Sequence, residues 1–194
     1  MQYMRHFIYF SKNAHTSGNF KDLMKAGRMD IVCHFVIQSF FLSHDFRENT
    51  KLHLVFYGMP DPPKHIEITV TPELEISKKD IGNLIKKILY KHKKGKKTEV
   101  LPGCFVEKKS FLKVVEELQE QDIEIFILDK KGEDIREAKI PDNCAFVFGD
   151  HDGLPKKELR RLKQMTTPIS VGNKMYFASQ TATIVNNELD RRGI

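Results

Sequence analysis

A polar, glycine-rich stretch follows a short apolar run in the C-terminal third of the chain. The run covers residues 145–148, and the stretch reads Gly149-Asp150-His151-Asp152-Gly153. Carboxylates and an imidazole can accept or donate protons, and histidine titrates near neutral pH. Glycine lets a backbone take positive φ or approach a ligand closely. The stretch is therefore either an ordinary polar turn or a place where a ligand contacts the backbone at a strand end.

Two further glycine-bearing turns follow apolar runs. They are residues 128–132, Leu-Asp-Lys-Lys-Gly, and residues 171–174, Val-Gly-Asn-Lys. Each alone is typical of an ordinary strand-to-helix connection, but three at equivalent strand ends can frame one pocket. None of them contains GxGxxG or the P-loop pattern, so the two commonest sequence signatures of a nucleotide cradle are absent.

Strand-like and helix-like segments alternate along the chain. Runs of apolar and aromatic residues predict strands over residues 3–10, 51–57, 65–70, 124–128, 145–148 and 169–171. Helical spacing of apolar residues predicts helices over residues 20–26, 30–43, 77–90, 111–120, 155–163 and 178–192. This alternation predicts one domain, 1–194, of the α/β class, with a mostly parallel sheet flanked by helices. Ligands bind such sheets beyond the carboxyl ends of the strands, where the glycine turns are expected.

The charge balance indicates the kind of partner. The chain has 32 Lys and Arg against 26 Asp and Glu, a net charge of +6. This favours a polyanion, nucleic acid above all, and a heat-adapted surface rich in Lys and Glu is the alternative. No run of about 18 apolar residues is present, and the first apolar segment is too short for a signal peptide. We therefore expect a cytoplasmic protein that does not enter a membrane.

The three cysteines do not suggest a metal site. Cys33, Cys104 and Cys144 lie far apart, without a CxxC pair and without a histidine at zinc-finger spacing. We expect no disulfide framework and no bound metal. A buried free thiol is the expected state of each cysteine.

Two C-terminal segments resemble the knotted SPOUT methyltransferases. They are FVFGDHDGLP and ISVGNKMYFASQTATIVNNELDRR, in which two strands each end in a glycine turn and a last helix follows. The segments AGRMDIVCHFVIQSFFLSHDFRENTKLHLVFYGMPDPPKHIEI and EVLPGCFVEKKSF narrow the resemblance to the TrmY family. That family comprises archaeal tRNA (pseudouridine-N1)-methyltransferases, which act at tRNA position 54. The resemblance runs over essentially the whole chain.

The resemblance implies a C-terminal trefoil knot, S-adenosylmethionine (SAM) as methyl donor and a homodimer. The knot and the donor site are expected within about residues 123–194. In the family, three turns of the knot hold the donor through backbone amides and carbonyls. Here those turns match Leu128, Gly149, Val171, Gly172, Asn173, Lys174, Met175, Tyr176 and Phe177. Some relatives carry a cysteine in the last helical segment, where this chain reads SQTAT, so no catalytic thiol is expected there.

Methylation of pseudouridine N1 requires a proton acceptor, because that nitrogen carries a proton while the sulfonium methyl is already activated. A carboxylate, or a water that it holds, is the simplest acceptor, and Asp30 and Asp61 are the candidate catalytic residues. Arg28 and Asp30 resemble an Arg-x-Asp pair of related rRNA pseudouridine-N1 methyltransferases. The alternatives are that Asp30 caps a helix and Asp61 shapes a turn. Residues 150–152 are interpreted as turn formers and donor-facing groups rather than bases.

Basic residues are the candidates for RNA contact. Arg5 and Arg28 are expected to hold a phosphate or the base edge, and the alternative for each is a solvated charge. The segment 86–97 carries seven lysines and one histidine. Within it, phosphate contacts are expected from Lys91, Lys93 and Lys94. The alternative is a solvated loop of a heat-adapted protein.

Together these features predict a SAM-dependent methyltransferase acting on N1 of pseudouridine 54 in the T-loop of tRNA. One alternative is a SPOUT methyltransferase that acts on rRNA or on a ribose 2′-hydroxyl. Another is an RNA-binding module without catalysis. Titration with SAM separates the binding module from the enzymes, and mass spectrometry of the modified RNA separates the two enzymes.

Overall fold

The computed structural model describes residues 3–194, and these contain eight strands and five helices. The strands are β1 (Arg5–Ser11), β2 (Thr50–Phe56), β3 (Lys64–Thr69), β4 (Thr98–Leu101), β5 (Cys104–Glu107), β6 (Glu124–Asp134), β7 (Cys144–Gly149) and β8 (Thr167–Ser170). The helices are α1 (Met29–Phe40), α2 (Ile81–Tyr90), α3 (Phe111–Gln119), α4 (Lys156–Met165) and α5 (Ala178–Arg192). Among residues 3–194, no helix has the length and apolar content needed to cross a membrane.

All eight strands join one sheet in the order β4-β5-β3-β2-β1-β7-β6-β8. The four pairings from β2 to β8 are parallel, whereas β3, β5 and β4 extend the sheet by antiparallel pairing. The predicted α/β fold with a mostly parallel sheet is confirmed. The sequence did not indicate β4 and β5, because each has only four residues, too few to establish an alternating apolar pattern.

Helices cover both faces of the sheet, and β1 is buried between them. Phe7 and Tyr9 face the larger apolar cluster, which α1, α2 and α5 complete. Ile8 and Phe10 face the smaller cluster, which α3 and α4 complete. Since side chains alternate between the two faces of a strand, a strand covered on both faces is apolar throughout. This explains the nearly continuous apolar and aromatic run from residue 7 to residue 10.

The helix predicted over residues 20–26 is wrong, because this segment forms successive turns. The Asp22 carboxylate accepts hydrogen bonds from the backbone amides two and three residues ahead, at 2.9 and 3.2 Å. Such local bonding competes with a helix. Gly27 and Arg28 then take positive φ angles of 67° and 61°, which no right-handed helix contains. Helix α1 therefore begins at Met29.

Strand β6 pairs with β8 in parallel on both sides of an irregularity at residues 129–132. Ile169 pairs with Leu128 and also with Glu133, and the Ile135 amide donates to the Ser170 carbonyl at 2.8 Å. Between the two pairings, a Cβ atom at Gly132 would overlap with the backbone of β8. Only glycine permits this close approach, so the glycine of the first predicted turn is explained by backbone packing.

Candidate functional site

The carboxyl ends of five parallel strands meet at one edge of the sheet. In spatial order these strands are β2, β1, β7, β6 and β8. The glycine turns belong to three adjacent strands of this edge, since Leu128 lies in β6, Gly149 ends β7, and residues 171–177 follow β8. The structure therefore places the residues predicted to hold the methyl donor beside one another.

The turn after β7 folds back on its own strand. Asp150 and Gly153 form an isolated antiparallel bridge, and Asp152 donates its amide hydrogen to Asp150 Oδ1 at 2.9 Å. A Cβ atom at Gly149 would lie 2.8 Å from the carbonyl carbon of Gly153. The glycine at position 149 is thus required by the turn itself, whether or not a ligand is present.

The segment 171–177 is open to solvent and has free backbone donors. Among residues 3–194, no acceptor receives the backbone amide hydrogens of residues 173–176. Gly172 has φ 128°, and a Cβ atom there would meet no atom within 4 Å. Met175 and Phe177 are 80% and 72% exposed. Free amides beside apolar side chains suit a ligand that is polar at one end and apolar at the other.

The loop after β1 is clamped between two glycines. A Cβ atom at either Gly27 or Gly58 would overlap with the Asn13 carbonyl. The Gly58 amide donates to the Ala14 carbonyl at 3.1 Å, and Thr16 Oγ1 donates to the Gly58 carbonyl at 2.8 Å. These contacts fix the backbone of the loop between β2 and the start of α1.

A cavity of about 550 Å³ lies beside this loop, at the carboxyl ends of β1 and β2. Its lining residues are Lys12, Asn13, His15, Lys25, Gly27, Tyr57, Gly58 and Met59. The cavity has the volume of a small-ligand site, and its two lysines favour an anionic occupant. Sequence reasoning missed all of these residues. Gly27 and Gly58 are far apart in the sequence. That they enclose the same loop is therefore visible only in the folded chain.

Arg28 and Asp30 form a bidentate ion pair at the start of α1. The distances are 3.0 Å from Nε to Oδ1 and 2.9 Å from Nη2 to Oδ2. The hydrogen bonds from the guanidinium hold the pKa of the Asp30 carboxyl below its usual value. Arg28, with left-handed backbone, occupies the N-cap position. The alternative that Asp30 is the helix cap is therefore wrong.

Two buried polar atoms without partners lie near this pair. Within residues 3–194, neither the Tyr9 hydroxyl nor Asp150 Oδ2 makes a hydrogen bond. Burial raises the pKa of Tyr9, and the negative charges of Asp150 and Asp30 raise it further. The Tyr9 ring packs against Phe35 at 4.6 Å between centroids, so its hydroxyl is held in place.

Comparison with known proteins identifies the family. Residues 4–194 match the model of the family described as "Putative SAM-dependent RNA methyltransferase". The chain belongs to this family. A relative from Pyrococcus abyssi (strain GE5 / Orsay), named tRNA (pseudouridine(54)-N(1))-methyltransferase, is 35% identical over 204 residues, which cover 98% of this chain and 100% of the relative.

Solved structures show the same fold as this SAM-dependent methyltransferase. The crystal structure of Archaeoglobus fulgidus Nep1 bound to S-adenosylhomocysteine has a TM-score of 0.61 at 14% identity and covers 100% of both chains. The SpoU methyltransferase AviRb from Streptomyces viridochromogenes, in complex with AdoMet, has a TM-score of 0.51 at 10% identity, over 100% of this chain and 59% of that one. The predicted α/β fold is thus shared with solved methyltransferase structures.

Asp61 is the second predicted catalytic carboxylate of this methyltransferase. It lies in the connection from β2 to β3, where Lys64 and Lys108 both donate to its carboxylate. The hydrogen bonds from Lys108 and Lys64 lower the pKa of Asp61 to about 2. Its amide donates to Thr16 Oγ1 at 2.8 Å, so Asp61 belongs to the same edge of the sheet as the cavity.

Arg5 is not available to bind RNA, which corrects its predicted role. It is 3% exposed and lies at the amino end of β1, opposite the edge that carries the glycine turns. Its guanidinium donates to Asn186 Oδ1 at 3.0 Å, to Asp190 Oδ1 at 2.7 Å and to the Ile194 carbonyl. The side chain therefore fastens the last helix to the central strand of the sheet.

Residues 91–97 of the lysine-rich segment follow α2, and all five of their lysines are exposed. The side chains of Lys91, Lys93 and Lys94 form no ion pair with any group among residues 3–194. Burial and the positive charge of Lys64 lower the pKa of His92, which shows that the segment lies near the Asp61 cluster. These lysines are thus free to contact a polyanion beside the candidate site.

A row of buried histidines crosses the sheet on the face covered by α3. His6 Nδ1 lies 3.0 Å from His53 Nε2, His53 Nδ1 lies 3.0 Å from His65 Nε2, and His65 Nδ1 lies 3.0 Å from Glu107 Oε1. His53, His65 and Glu67 are near enough to share an ion, but the ring nitrogens of His53 and His65 are already engaged with neighbouring histidines or with Glu107. The cysteines Cys33, Cys104 and Cys144 are buried and free, as predicted.

Proposed function

We propose that this chain transfers a methyl group from SAM to N1 of pseudouridine 54 in the T-loop of tRNA. The observation that carries the proposal is the relationship over nearly the full length to a protein named for that reaction. The family description supports the donor and the RNA substrate. Because tRNA is the substrate, we place the reaction in the cytoplasm.

The donor site is proposed at Leu128, Gly149 and residues 171–177. Bound SAM supplies a methyl group on a positively charged sulfur, so the protein needs to align it rather than activate it. The free amides of residues 173–176 can hold the donor's carboxylate or its adenine ring. The open space beside Gly172 leaves room for a bulky ligand against bare backbone.

The RNA is proposed to bind next to this site, over the ends of β1 and β2. Lys12 and Lys25 at the cavity can neutralise phosphates. Arg28 can hold the base edge, since its guanidinium is 43% exposed although it is paired with Asp30. The lysines at positions 91, 93 and 94 extend the basic surface along the polynucleotide.

Asp30 and Asp61 are proposed to orient their cationic partners rather than to take the proton. Each carboxylate accepts hydrogen bonds from cations, which stabilise its charged form. Such a carboxylate is a weak base. In this arrangement Asp30 directs Arg28, and Asp61 fixes Lys64 and Lys108 beside the lysine-rich segment.

The homodimer and the knot are part of the same proposal. Met175 and Phe177 are large, apolar and exposed beside the donor site, and a second copy of the chain can cover them. The knot is proposed within residues 123–194, where Leu128 and Glu133 both pair with Ile169. Light scattering in solution tests the dimer.

The reaction itself is tested by incubating the protein with SAM and a tRNA that carries pseudouridine at position 54. Digestion and mass spectrometry of the nucleosides should show 1-methylpseudouridine. A tRNA with uridine at position 54 is the matched control and should remain unmodified. A 2′-O-methylated nucleoside, or methylation of rRNA alone, would replace the proposal with the other SPOUT activity. Absence of any heat on titration with SAM would indicate an RNA-binding module.

A further inference from the structure

The Tyr9 hydroxyl and Asp150 Oδ2 are buried and make no hydrogen bond among residues 3–194. They lie at the boundary between two parts of the candidate site. Asp150 follows β7, which has β6 on one side and β1 on the other. The proposed donor turns belong to β6, β7 and β8, and the cavity lies at the ends of β1 and β2. A group at the β7–β1 boundary is therefore placed where donor and acceptor meet.

Tyr9 and Asp150 are brought to the same face of the sheet by strand register. Tyr9 pairs with Phe148, and Asp150 stands two residues further along, so both side chains point to the same side. One of the unpaired atoms is a hydroxyl, which can donate, and the other is a carboxylate oxygen, which can only accept. Unpaired buried polar atoms are rare in folded proteins and require an explanation, such as a catalytic role.

We propose that Asp150 is the proton acceptor of the methyl transfer and that Tyr9 is a positioning residue which orients its carboxylate. This inference rests on the proposed function. The N1–H bond of pseudouridine breaks, and its proton goes to the Asp150 carboxylate. The electron pair left on N1 forms the bond to the methyl carbon, and the pair of the broken sulfur–carbon bond stays on sulfur. Asp150 then releases the proton to water.

Asp150 is better suited to this role than the other two carboxylates. Asp30 forms an ion pair with the Arg28 guanidinium. Asp61 forms ion pairs with the ammonium groups of Lys64 and Lys108. Among the described residues, no ion pair involves Asp150, whose Oδ1 accepts one backbone amide while Oδ2 accepts nothing. A carboxylate oxygen that accepts no hydrogen bond within the chain is free to receive the proton.

Tyr9 can act only as a hydrogen-bond donor towards a carboxylate. The charged and titratable groups around its hydroxyl are Asp150, Arg28, Asp30 and Cys33. Burial, Asp150 and Asp30 raise the pKa of Tyr9, so the hydroxyl keeps its proton. In the proposed arrangement, the hydroxyl donates a hydrogen bond to the Asp150 carboxylate once tRNA and SAM are bound. The carboxylate is then held in a single orientation for the incoming proton.

Two variants test the proposal against the wild-type protein, with kcat, tRNA affinity, SAM affinity and Tm measured for each. Asp150→Asn should lower kcat by ~10²–10⁴-fold, with tRNA and SAM affinities unchanged and partial recovery from pH 7 to pH 9. Tyr9→Phe should lower kcat by roughly tenfold and alter the pH profile, while raising Tm, because the hydroxyl that it removes has no partner in the free protein. A purely structural Tyr9 would change Tm alone.

Asp142→Asn and Tyr3→Phe serve as matched controls, since both residues lie at the amino-end edge of the sheet. Normal turnover by Asp150→Asn, or a normal rate and pH profile for Tyr9→Phe, would overturn the inference. Should Asp150→Asn not fold, Tyr9→Phe decides alone. A wild-type protein that forms no 1-methylpseudouridine refutes the proposed function itself. A wild-type protein that forms it beside fully active variants refutes only the roles of Tyr9 and Asp150.

Discussion

The Asn13 side-chain amide donates a hydrogen bond of 2.6 Å to Asp152 Oδ2. This bond joins the loop after β1 to the turn after β7, which belong to separate parts of the chain and to adjacent strands of the sheet. Asn13 also lines the cavity, and Asp152 donates its amide to Asp150. The proposed RNA side and the proposed proton acceptor are therefore linked through these two hydrogen bonds.

Removal of this link should weaken catalysis without unfolding the protein. Asn13→Ala is expected to lower kcat/KM for tRNA by roughly three- to tenfold, the range of one hydrogen bond worth about 0.5–1.5 kcal/mol. SAM affinity should be unchanged. In an Asp152→Ala background the same substitution should have little further effect, because its partner is already gone. Fully additive effects of the two substitutions would show that the hydrogen bond does not couple the two segments.

Isosteric replacement of the two ion-paired carboxylates should have modest effects on turnover. Asp30→Asn and Asp61→Asn are each expected to retain kcat within about tenfold, since loss of a general base would cost ~10²–10⁴-fold. Asp30→Asn should mainly raise KM for tRNA, because Arg28 loses its bidentate partner. Single-turnover rates at saturating tRNA provide the measurement. A drop in rate of more than about a hundredfold for either variant would make that carboxylate the base.

The secondary structure was largely predictable because most helices and strands show a clear periodicity of apolar residues that ends at a recognisable residue. The predicted helix over 178–192 coincides with α5, and the predicted helix over 111–120 differs from α3 by one residue. The helix predicted over 20–26 does not form because the Asp22 carboxylate accepts a hydrogen bond from the Met24 amide. Gly27 and Arg28, which follow, have positive φ angles. Apolar spacing carries no sign of such local competition.

The site was predictable only in part, because its key contacts join distant segments. The glycine turns could be found from strand ends, whereas the cavity arises where loops of three segments meet. Arg5 looks available in the sequence, and only the folded chain brings Asp190 and Asn186 to it. That the Tyr9 hydroxyl has no partner among residues 3–194 likewise depends on the complete packing around it.

The two glycines of the donor site should respond differently to substitution. Gly149→Ala is expected to lower Tm, because its Cβ would press on the backbone of Gly153. The Cβ atom of an alanine at position 172 would meet no atom within 4 Å. The expected loss of stability is therefore only the backbone strain of an alanine at a φ of 128°, about 1–3 kcal/mol. Because the added methyl group would occupy the open space proposed for the donor, Gly172→Ala should weaken SAM binding by at least roughly tenfold. Its Tm should fall by roughly 2–12 °C. Titration calorimetry and thermal melts separate the two effects, and unchanged SAM affinity for Gly172→Ala would exclude that residue from the donor site.

The exposed lysines after α2 should set the salt dependence of tRNA binding. Replacement of Lys91, Lys93 and Lys94 by Ser is expected to weaken binding and to reduce the slope of log K against log[salt] by about 0.7–0.9 for each phosphate that the protein no longer neutralises. The matched control replaces Lys113, Lys139 and Arg191 by Ser, which removes the same charge elsewhere. Equal effects of the two triple variants would mean that only net charge matters and that the segment does not bind the RNA specifically.

The buried histidine row should make the protein less stable in mild acid. Burial and the nearby charge of Lys51 lower the pKa of His6 to about 4, and burial also lowers the pKa values of His53 and His65. The unfolded chain therefore binds more protons than the folded chain below about pH 6.5, so stability falls as the pH falls.

For His6 alone the expected decrease in stability reaches about 3 kcal/mol near pH 4, at 1.36 kcal/mol per pKa unit. The charged groups that face the row are Lys51, Glu67, Lys97, Lys109, Glu107 and Glu117. Glu107, whose pKa is lowered to about 2 by hydrogen bonds from His65 and Lys109 that outweigh its burial, adds a decrease of the same sign below about pH 4.5. Tm should thus decline steadily between pH 7 and pH 4.

His6→Leu should shrink the difference in Tm between pH 7 and pH 4.5, whatever its effect on Tm at pH 7, because the variant has one buried histidine fewer to protonate. His34→Gln is the matched control, since His34 is exposed on α1 and its removal should leave the pH dependence as it is. Differential scanning calorimetry at several pH values provides the comparison. A His6→Leu curve parallel to that of the wild type would show that His6 takes up no proton on unfolding, and the decrease in stability in acid would then have to come from the carboxylates.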